Sequence, residues 1–341
     1  MIKITMFSTA DKVKGQGVGS AYLELLAMLK KYFSKEFSIE INTYKAADIS
    51  HYHTVDFVYY LSTFLWNRGV KLGYVHFLPE TLEGSIKLLP LFQKVFNWYV
   101  LSFYKRMDHL VVVNPSFIEK LVALGVPEER ITYIPNFVSP KVFYEAQAEQ
   151  KTAWRKENNL SEEDFVVLGV GQIQQRKGID DFVQLAIQNP EVQFIWAGGF
   201  SFGKITDGYQ KYQKIYDNPP KNLRFTGIIE RDEIVQYYNM ADLFLLPSYN
   251  ELFPMSILEA FSCGTPVMLR NLDLYDSILK ETFVTADDID EMQVKLVRLV
   301  ENPDELHDFQ EKSRRAAQRY SEESCAATWL SFYTELAKKK K

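Results

Sequence analysis

Cysteine is almost missing from this 341-residue chain: Cys263 and Cys325 alone occur, far apart and in no ligand spacing. A disulfide framework or zinc site is excluded, and a reducing cytoplasm suits the composition. Long uncharged apolar runs are missing too, so no transmembrane helix is expected. The N-terminal MIKITMFSTA enters a strand-like run directly and lacks the apolar core of a signal peptide. Positive charge is not in excess. The net charge of −5 argues against a general nucleic-acid binder. No repeat stands out, and the low-complexity run is the tail KKKK at 338–341.

What is present fills two domains. Hydrophobic residues make up 47% and aromatics 14%, enough for two sizeable cores. Short strands alternate with helices throughout. IKITMF (2–7) reads as a buried strand, followed by glycine-rich KGQGVGS and a helix over 18–33. Further strands are expected at 38–42, 56–60 and 71–76, then a long apolar helix at 90–107, the strand DHLVVV, a helix to 124 and the strand ITYIPN. Polar residues 144–160 break the rhythm as a linker or surface helix. It then restarts with FVVLGVG, a helix at 178–188, VQFIWAG, LRFTG, a helix at 231–239, DLFLLPS and TPVMLR, with mostly helix over 286–338. The fold class is α/β: two doubly wound domains in tandem, whose ligands sit beyond the carboxyl ends of the strands. Two such domains facing each other would form a cleft.

Three motifs carry candidate chemistry. GQGVGS (Gly15–Ser20) joins strand to helix, where glycines allow close backbone approach and a helix N-terminus favours phosphate. Its spacing is not the dinucleotide fingerprint, and a plain tight turn is the competing reading. VGQIQQRKG (170–178) brings Arg176 and Lys177 just before a helix, as a diphosphate leaving group needs, or merely as a solvated basic turn. LPSYNELFPMSILEAFSCGTPV puts Glu251 in a loop, Pro254 at the first helical position and Glu259 in the second turn. A loop carboxylate beside the amides of 253–256 can accept sugar hydroxyls, and a second one can hold a ribose. Favouring the helix dipole suits Glu259 poorly, since it lies beyond the first turn among apolar residues.

With these residues in view, the chain resembles the retaining, nucleotide-sugar-dependent glycosyltransferases of family 4, which have the GT-B fold of two Rossmann-like domains. ELFPMSILEA is similar to the family's E-G-F-G-x-x-x-x-E-A and continues into CGTPV; GQIQQRKG resembles G-R-x-x-x-x-K-G, and IPNFVSPKVF the segment I-P-N-G-V-D. FTGIIERDEIVQYYNMADLFLLPS matches in spacing and composition. The resemblance implies an acceptor-binding domain of 1–143 plus a crossover helix 322–341, and a donor-binding domain of 144–321.

It also implies roles. Glu259 would bind the ribose, and Glu251 the donor sugar with the amides of Pro254, Met255 and Ser256 around it. Lys177 would bind the diphosphate, Gly17 and Gly19 would line the phosphate side, and His76 would face the donor sugar. His76 has a bare alternative as a strand-end structural residue. Two departures stand out. Gln172 replaces the diphosphate arginine, with Arg176 nearby to supply the charge, and Leu252 and Pro254 replace two glycines of the sugar loop. No cofactor or metal is expected. The DxD at Asp288–Asp290 reads as a helix cap, and for retention the family is thought to use front-face attack, with the leaving phosphate taking the acceptor proton.

The acceptor is sought in the first half. SIKLLPLFQKVFNWYVLSFYKRM (85–107) holds Lys87, Lys94, Lys105 and Arg106, no acid, and Trp98 among other aromatics. Lys94 and Lys105 fall within roughly 20° on one helical face. Such a helix suits an anionic membrane surface, as does YYLSTFLWNRGVK (59–71). The alternative is a core helix, apolar nearly all round. Within the family the chain most resembles bacterial enzymes adding a second hexose to monoglucosyl-diacylglycerol. That implies UDP-glucose or UDP-galactose as donor, a glycolipid acceptor, and a peripheral place on the inner face of the membrane. A polyprenyl-linked or cell-wall acceptor, a silent membrane-binding scaffold and a nucleotide-sugar epimerase are the competing readings.

Overall fold

The computed structural model describes every residue except 11–16, 79–89, 202, 204–205, 207 and 340–341, and every side chain outside these except 90–92. The chain divides into two units. One takes the described residues up to Phe137 together with the segment from Glu322; the other takes Val138–Ser321.

In the first unit, six parallel strands form one sheet: β1 (Ile2–Phe7), β2 (Phe37–Ile41), β3 (Ile49–Tyr52), β4 (Val70–Val75), β5 (His109–Val112) and β6 (Ile131–Tyr133), in the order β2-β1-β3-β4-β5-β6. Helices α1 (Gly17–Tyr32), α2 (Phe57–Ser62), α3 (Pro90–Lys105) and α4 (Ser116–Ala123) connect them. Strands β3 and β5 are buried at every residue, as parallel strands covered on both faces must be. The order reverses between β1 and β3, so their exits flank this sheet's switch point.

The second unit opens with α5 (Ala148–Glu157), which buries no residue and so explains the polar stretch that interrupts the rhythm. Then β7 (Val166–Val170), α6 (Ile179–Gln188), β8 (Gln193–Ala197), α7 (Tyr209–Asp217), β9 (Leu223–Gly227), α8 (Ile234–Met240), β10 (Leu243–Leu246), α9 (Met255–Ser262), β11 (Val267–Arg270), α10 (Asp273–Asp276), β12 (Val284–Ala286), α11 (Ile289–Glu301) and α12 (Pro303–Arg319) follow. The sheet order is β12-β11-β10-β7-β8-β9, all parallel, and it reverses between β7 and β10. The exits of these two strands are therefore neighbours.

Helix α13 (Glu322–Lys338) belongs to the first unit. There its fully buried Trp329 and Tyr333 pack on His51, whose Nδ1 lies 2.7 Å from the Tyr333 hydroxyl. Lys31 of α1 pairs with Glu322 at 2.8 Å.

One expected strand is wrong. Residues 56–60 begin α2, and the strand lies earlier, at Ile49–Tyr52. The run VDFVYYLS looked strand-like from its aromatics, but Phe57, Val58 and Leu61 face outward from a helix. The true strand was hidden because ISHY reads as half polar, although Ser50 and His51 are fully buried. Helices α7 and α10 and the short strand β12 also lie outside the sequence reading.

Candidate active site

The neighbouring exits of β7 and β10 carry two of the three motifs. After β7 the chain makes a 3₁₀ turn over Gln175–Lys177, and Gly178 follows in the left-handed region at φ 72°. A side chain there would meet the Pro247 carbonyl oxygen at 2.2 Å, so only glycine lets the β7 exit close on the β10 exit. The two exits are then stitched together. The Tyr249 amide donates to the Arg176 carbonyl at 2.8 Å, and the Arg176 guanidinium donates to the Asn250 carbonyl at 3.2 Å.

This closure brings Lys177 to Glu251. The ammonium donates to Glu251 Oε1, both side chains are buried, and Arg176 Nη1 stands 3.9 Å from Oε2. Burial pushes the Glu251 carboxyl up, but the charges of Lys177 and Arg176 and the Lys177 hydrogen bond outweigh it and hold it below the ordinary carboxylate range. Burial also lowers Lys177, which Glu251 counters and Arg176 reinforces. Gln172 is buried and accepts from the Gln174 side-chain amide at 2.6 Å.

Pro254 stands one residue earlier than the sequence implied. It is the N-cap, extended at ψ 131°, and the helix begins at Met255. Phe253, just before it, is buried. The N-cap makes no side-chain capping hydrogen bond, as a proline cannot. Glu259 is the fifth helical residue and is buried. Its Oε2 accepts from the Tyr238 hydroxyl at 2.7 Å, and its Oε1 lies 3.3 Å from Arg231 Nη1. Burial, and then the Glu259 charge, raise Tyr238 well above the ordinary phenol value, so this donor stays protonated. The expected DxD is a cap: Asp288 accepts from the Glu291 amide at 2.9 Å.

Sequence reading missed the groups that hold these loops. Arg270, ending β11, is buried; its Nε donates to Pro247 O at 3.2 Å, and its Nη1 to Asp287 O at 2.9 Å. It also pairs with Asp181 of α6, which accepts from the Tyr249 hydroxyl at 2.7 Å. The signal was a lone arginine closing an apolar strand. Tyr238 and Arg231 lay inside a quoted motif but carried no residue-level signal.

In the first unit, Gly17 opens α1 and Gly19 packs so closely that a Cβ would meet the Ala10 carbonyl oxygen at 2.7 Å. Gly15 lies outside the described residues. His76 follows β4, buried, with the Tyr74 ring 4.3 Å and the His53 ring 5.8 Å away between centres. Burial pushes its pKa down to about 3, so it is a neutral imidazole at working pH.

Lys87 lies outside the described residues; Lys94 and Lys105 are exposed on α3. Trp98 is 68% exposed, while Phe103 and Tyr104 of the same helix are buried, so α3 is half core and half surface. Arg106 is not a free surface cation. Its Nε donates to Thr63 Oγ1 at 2.7 Å and its guanidinium lies 3.5 Å from the Phe64 ring centre. Tyr60 and Ser102 meet at 2.9 Å, fixing α2 beside α3. The outer side of this pair leaves Phe57, Val58, Leu61, Phe64, Leu65 and a 95% exposed Trp66 uncovered.

Comparison with known proteins accounts for both halves. Residues 18–142 match glycosyltransferase family 4, and residues 150–316 match glycosyl transferases group 1. The alpha-galactosylglucosyldiacylglycerol synthase of Streptococcus pneumoniae is 51% identical over 98% of this chain and 90% of its own. The processive diacylglycerol alpha-glucosyltransferase of Acholeplasma laidlawii is 29% identical over 58% of this chain and 61% of its own. Among solved structures, sucrose-phosphate synthase from Thermosynechococcus elongatus has a TM-score of 0.81 at 17% identity, covering 98% of this chain and 99% of that one. Anabaena HepE in complex with UDP and glucose has 0.79 at 16%, covering 98% and 100%; at such identities both speak for the GT-B fold alone. The switch-point site, the ordered motifs and the full-length match to the pneumococcal synthase agree: the chain belongs to the group 1, family 4 glycosyltransferases.

Proposed function

We propose that this glycosyltransferase moves a hexose from UDP-galactose or UDP-glucose to a glucosyl-diacylglycerol at the surface of an anionic membrane. The observation that carries the reading is the clamp of Lys177 and Arg176 on Glu251 at the second unit's switch point, beside an uncapped helix start and the buried Glu259. The acceptor is inferred from the pneumococcal relative's name and from the uncovered aromatics of α2 and α3. UDP as carrier is supported by the UDP-glucose complex of the Anabaena protein of the same fold.

In this reading Glu259 takes the ribose hydroxyls, held in place by Tyr238, and Glu251 takes hydroxyls of the hexose. Gly17, Gly19 and His76 of the first unit keep the roles the family resemblance implies, and a neutral His76 offers hydrogen bonds rather than charge. The bond between the anomeric carbon and the β-phosphate oxygen breaks, and its electron pair goes to the phosphate. The acceptor hydroxyl oxygen bonds the same face of that carbon, and its proton passes to the leaving phosphate. Lys177, Arg176 and the amides of Met255 and Ser256 stabilise the growing negative charge, a role that needs no metal. Retention of the anomeric configuration follows from attack on that face. No described helix is long and apolar enough to cross a membrane. The reading takes the contact as peripheral, on the inner face of the membrane, through the exposed aromatics of 57–66 and Trp98.

The test is transfer of radiolabelled hexose from each UDP-sugar into vesicles containing glucosyl-diacylglycerol, with and without a chelator. Labelled diglycosyl lipid is expected from one donor, undiminished by the chelator. Absence of transfer from both donors sinks the proposal, and loss with the chelator removes its metal-free form.

A further inference from the structure

The first sheet has a switch point of its own, and a carboxylate stands at it. Strand order reverses between β1 and β3, which pair with Phe7 opposite Tyr52. Two residues further on their exits are tied together, where the Thr9 amide donates to Thr54 Oγ1 at 3.2 Å. Both hydroxyls then turn to one acid. Thr9 Oγ1 donates across the two carboxylate oxygens of Asp56, at 3.1 and 2.9 Å, and Thr54 Oγ1 donates to Asp56 Oδ2 at 2.5 Å. From α3, the Tyr99 hydroxyl donates to the Val55 carbonyl at 2.5 Å and pins the same turn.

The ordinary reading of Asp56 is a helix cap, since it is the N-cap of α2. It does not act as one, because its side chain makes no capping hydrogen bond. A carboxylate offers about four acceptor sites. Two hydroxyl protons hold this one in place and leave Oδ1 room for a further donor. The next groups along these exits are unmet as well. His53 directly follows β3 and is 2% exposed, and neither of its ring nitrogens has a hydrogen-bond partner among the described residues. His76 directly follows β4, its Nε2 is equally without one, and its ring stacks on that of His53 at 5.8 Å.

These groups select their occupant. An anion is repelled by the Asp56 carboxylate. No group of His, Cys, Asp and Glu among the described residues could hold a metal ion. A neutral polyol suits every member: its hydroxyls donate to the carboxylate, and they donate to or accept from imidazoles that burial keeps uncharged. The chain beyond Asp56 meets the other half of a glycolipid. Phe57, Val58 and Leu61 of α2 are 63%, 59% and 50% exposed, so an apolar face begins at the residue after the acid.

We propose that the switch point of the first sheet binds the hexose head of the acceptor glycolipid, with Asp56, oriented by Thr9 and Thr54, accepting hydroxyls of that sugar. The assignment rests on the glucosyl-diacylglycerol reading above. It adds the residue that selects a neutral sugar head over an anionic phosphate one.

Asp56→Asn keeps the shape and removes the charge, while Asp56→Glu keeps the charge and moves it by one methylene. Sedimentation with phosphatidylcholine vesicles, with and without glucosyl-diacylglycerol, measures recognition of the head in the absence of any donor. Transfer assays then give KM for the glycolipid and for UDP-hexose separately. Wild type should bind the glycolipid vesicles better than the plain ones. Both variants should lose that preference and bind plain vesicles as wild type does. Their KM for the glycolipid should rise about tenfold, with KM for UDP-hexose held within twofold. If Asp56→Asn melts several degrees lower, Asp56→Glu decides. A preference kept by the variants overturns the proposal, and so does a wild type that binds both vesicles alike. A matched rise in both KM values overturns it too, because a residue that merely holds the fold acts on both. A preference that needs Asp56, without any transfer by wild type, upholds this site and sinks the transfer reading alone.

Discussion

At the scale of single residues, burial decides what each group can do. Lys177 and Glu251 are taken out of water together, so removing Glu251 leaves the buried ammonium uncompensated, which costs about 3–5 kcal/mol, while removing Lys177 leaves Glu251 with Arg176 at 3.9 Å and costs less. The pair is therefore a fixed arrangement rather than a passing surface contact. The histidines of the first unit follow the opposite logic. His51, His53 and His76 sit ring to ring, with centres 4.0 and 5.8 Å apart, and burial drives each below the usual imidazole value. The neighbouring histidines add to this for His51 and His53. A group with a depressed folded pKa prefers its neutral form in the fold, so protonation favours the unfolded chain. Stability is full above about pH 6.5, the unfolded value, and falls as the pH drops, for His76 until about 3. The expected loss is about 1.4 kcal/mol per histidine per pH unit. Denaturant melts at pH 7.5, 6 and 5 check this: stability should fall steeply below 6.5, and replacing His53 with Asn should flatten the slope. A slope unchanged by that replacement would show that His53 titrates normally.

At the scale of elements, the α2–α3 pair shows what sequence could and could not reveal. The cationic and aromatic character of α3 was plain, but which aromatics face inward was not, because a half-core helix has no clean apolar stripe. Phe103 is buried and Trp98 is out, and only the packing of Tyr60 against α3 settles it. Glu251 and Glu259 were legible because a proline and a strand end fixed their elements. Their partners Tyr238, Arg231 and Arg270 were not, since contacts across distant strands leave no local pattern. On the proposed membrane reading, the exposed aromatics make the contact. Trp66→Ser with Trp98→Ser should lower partition onto anionic vesicles at least about tenfold, with the loss persisting in high salt, as lost apolar burial does. Lys94→Glu with Lys105→Glu should lower it at low salt only, by screening. Sedimentation with vesicles measures both. Unaltered partition in the tryptophan variant would return this surface to an ordinary role.

At the scale of the whole molecule, one architecture is used twice, as two parallel six-stranded sheets. Strand and helix alternation made both doubly wound sheets readable, since buried parallel strands are continuous apolar runs. Strand β3 escaped because its buried Ser50 and His51 break that rule. The reversal of strand order between β7 and β10 cannot be seen in sequence, yet it is what makes two motifs some seventy residues apart into one site. Lys177 and Glu251 are 74 residues apart and share a hydrogen bond. The central claim is that this junction in the second unit holds the nucleotide sugar. Hydrogen exchange on the full chain with and without UDP tests it most directly. The account predicts slowed amide exchange at 171–178 and 248–259. Slowing confined to the first unit, or none at these loops under saturating UDP, would contradict it.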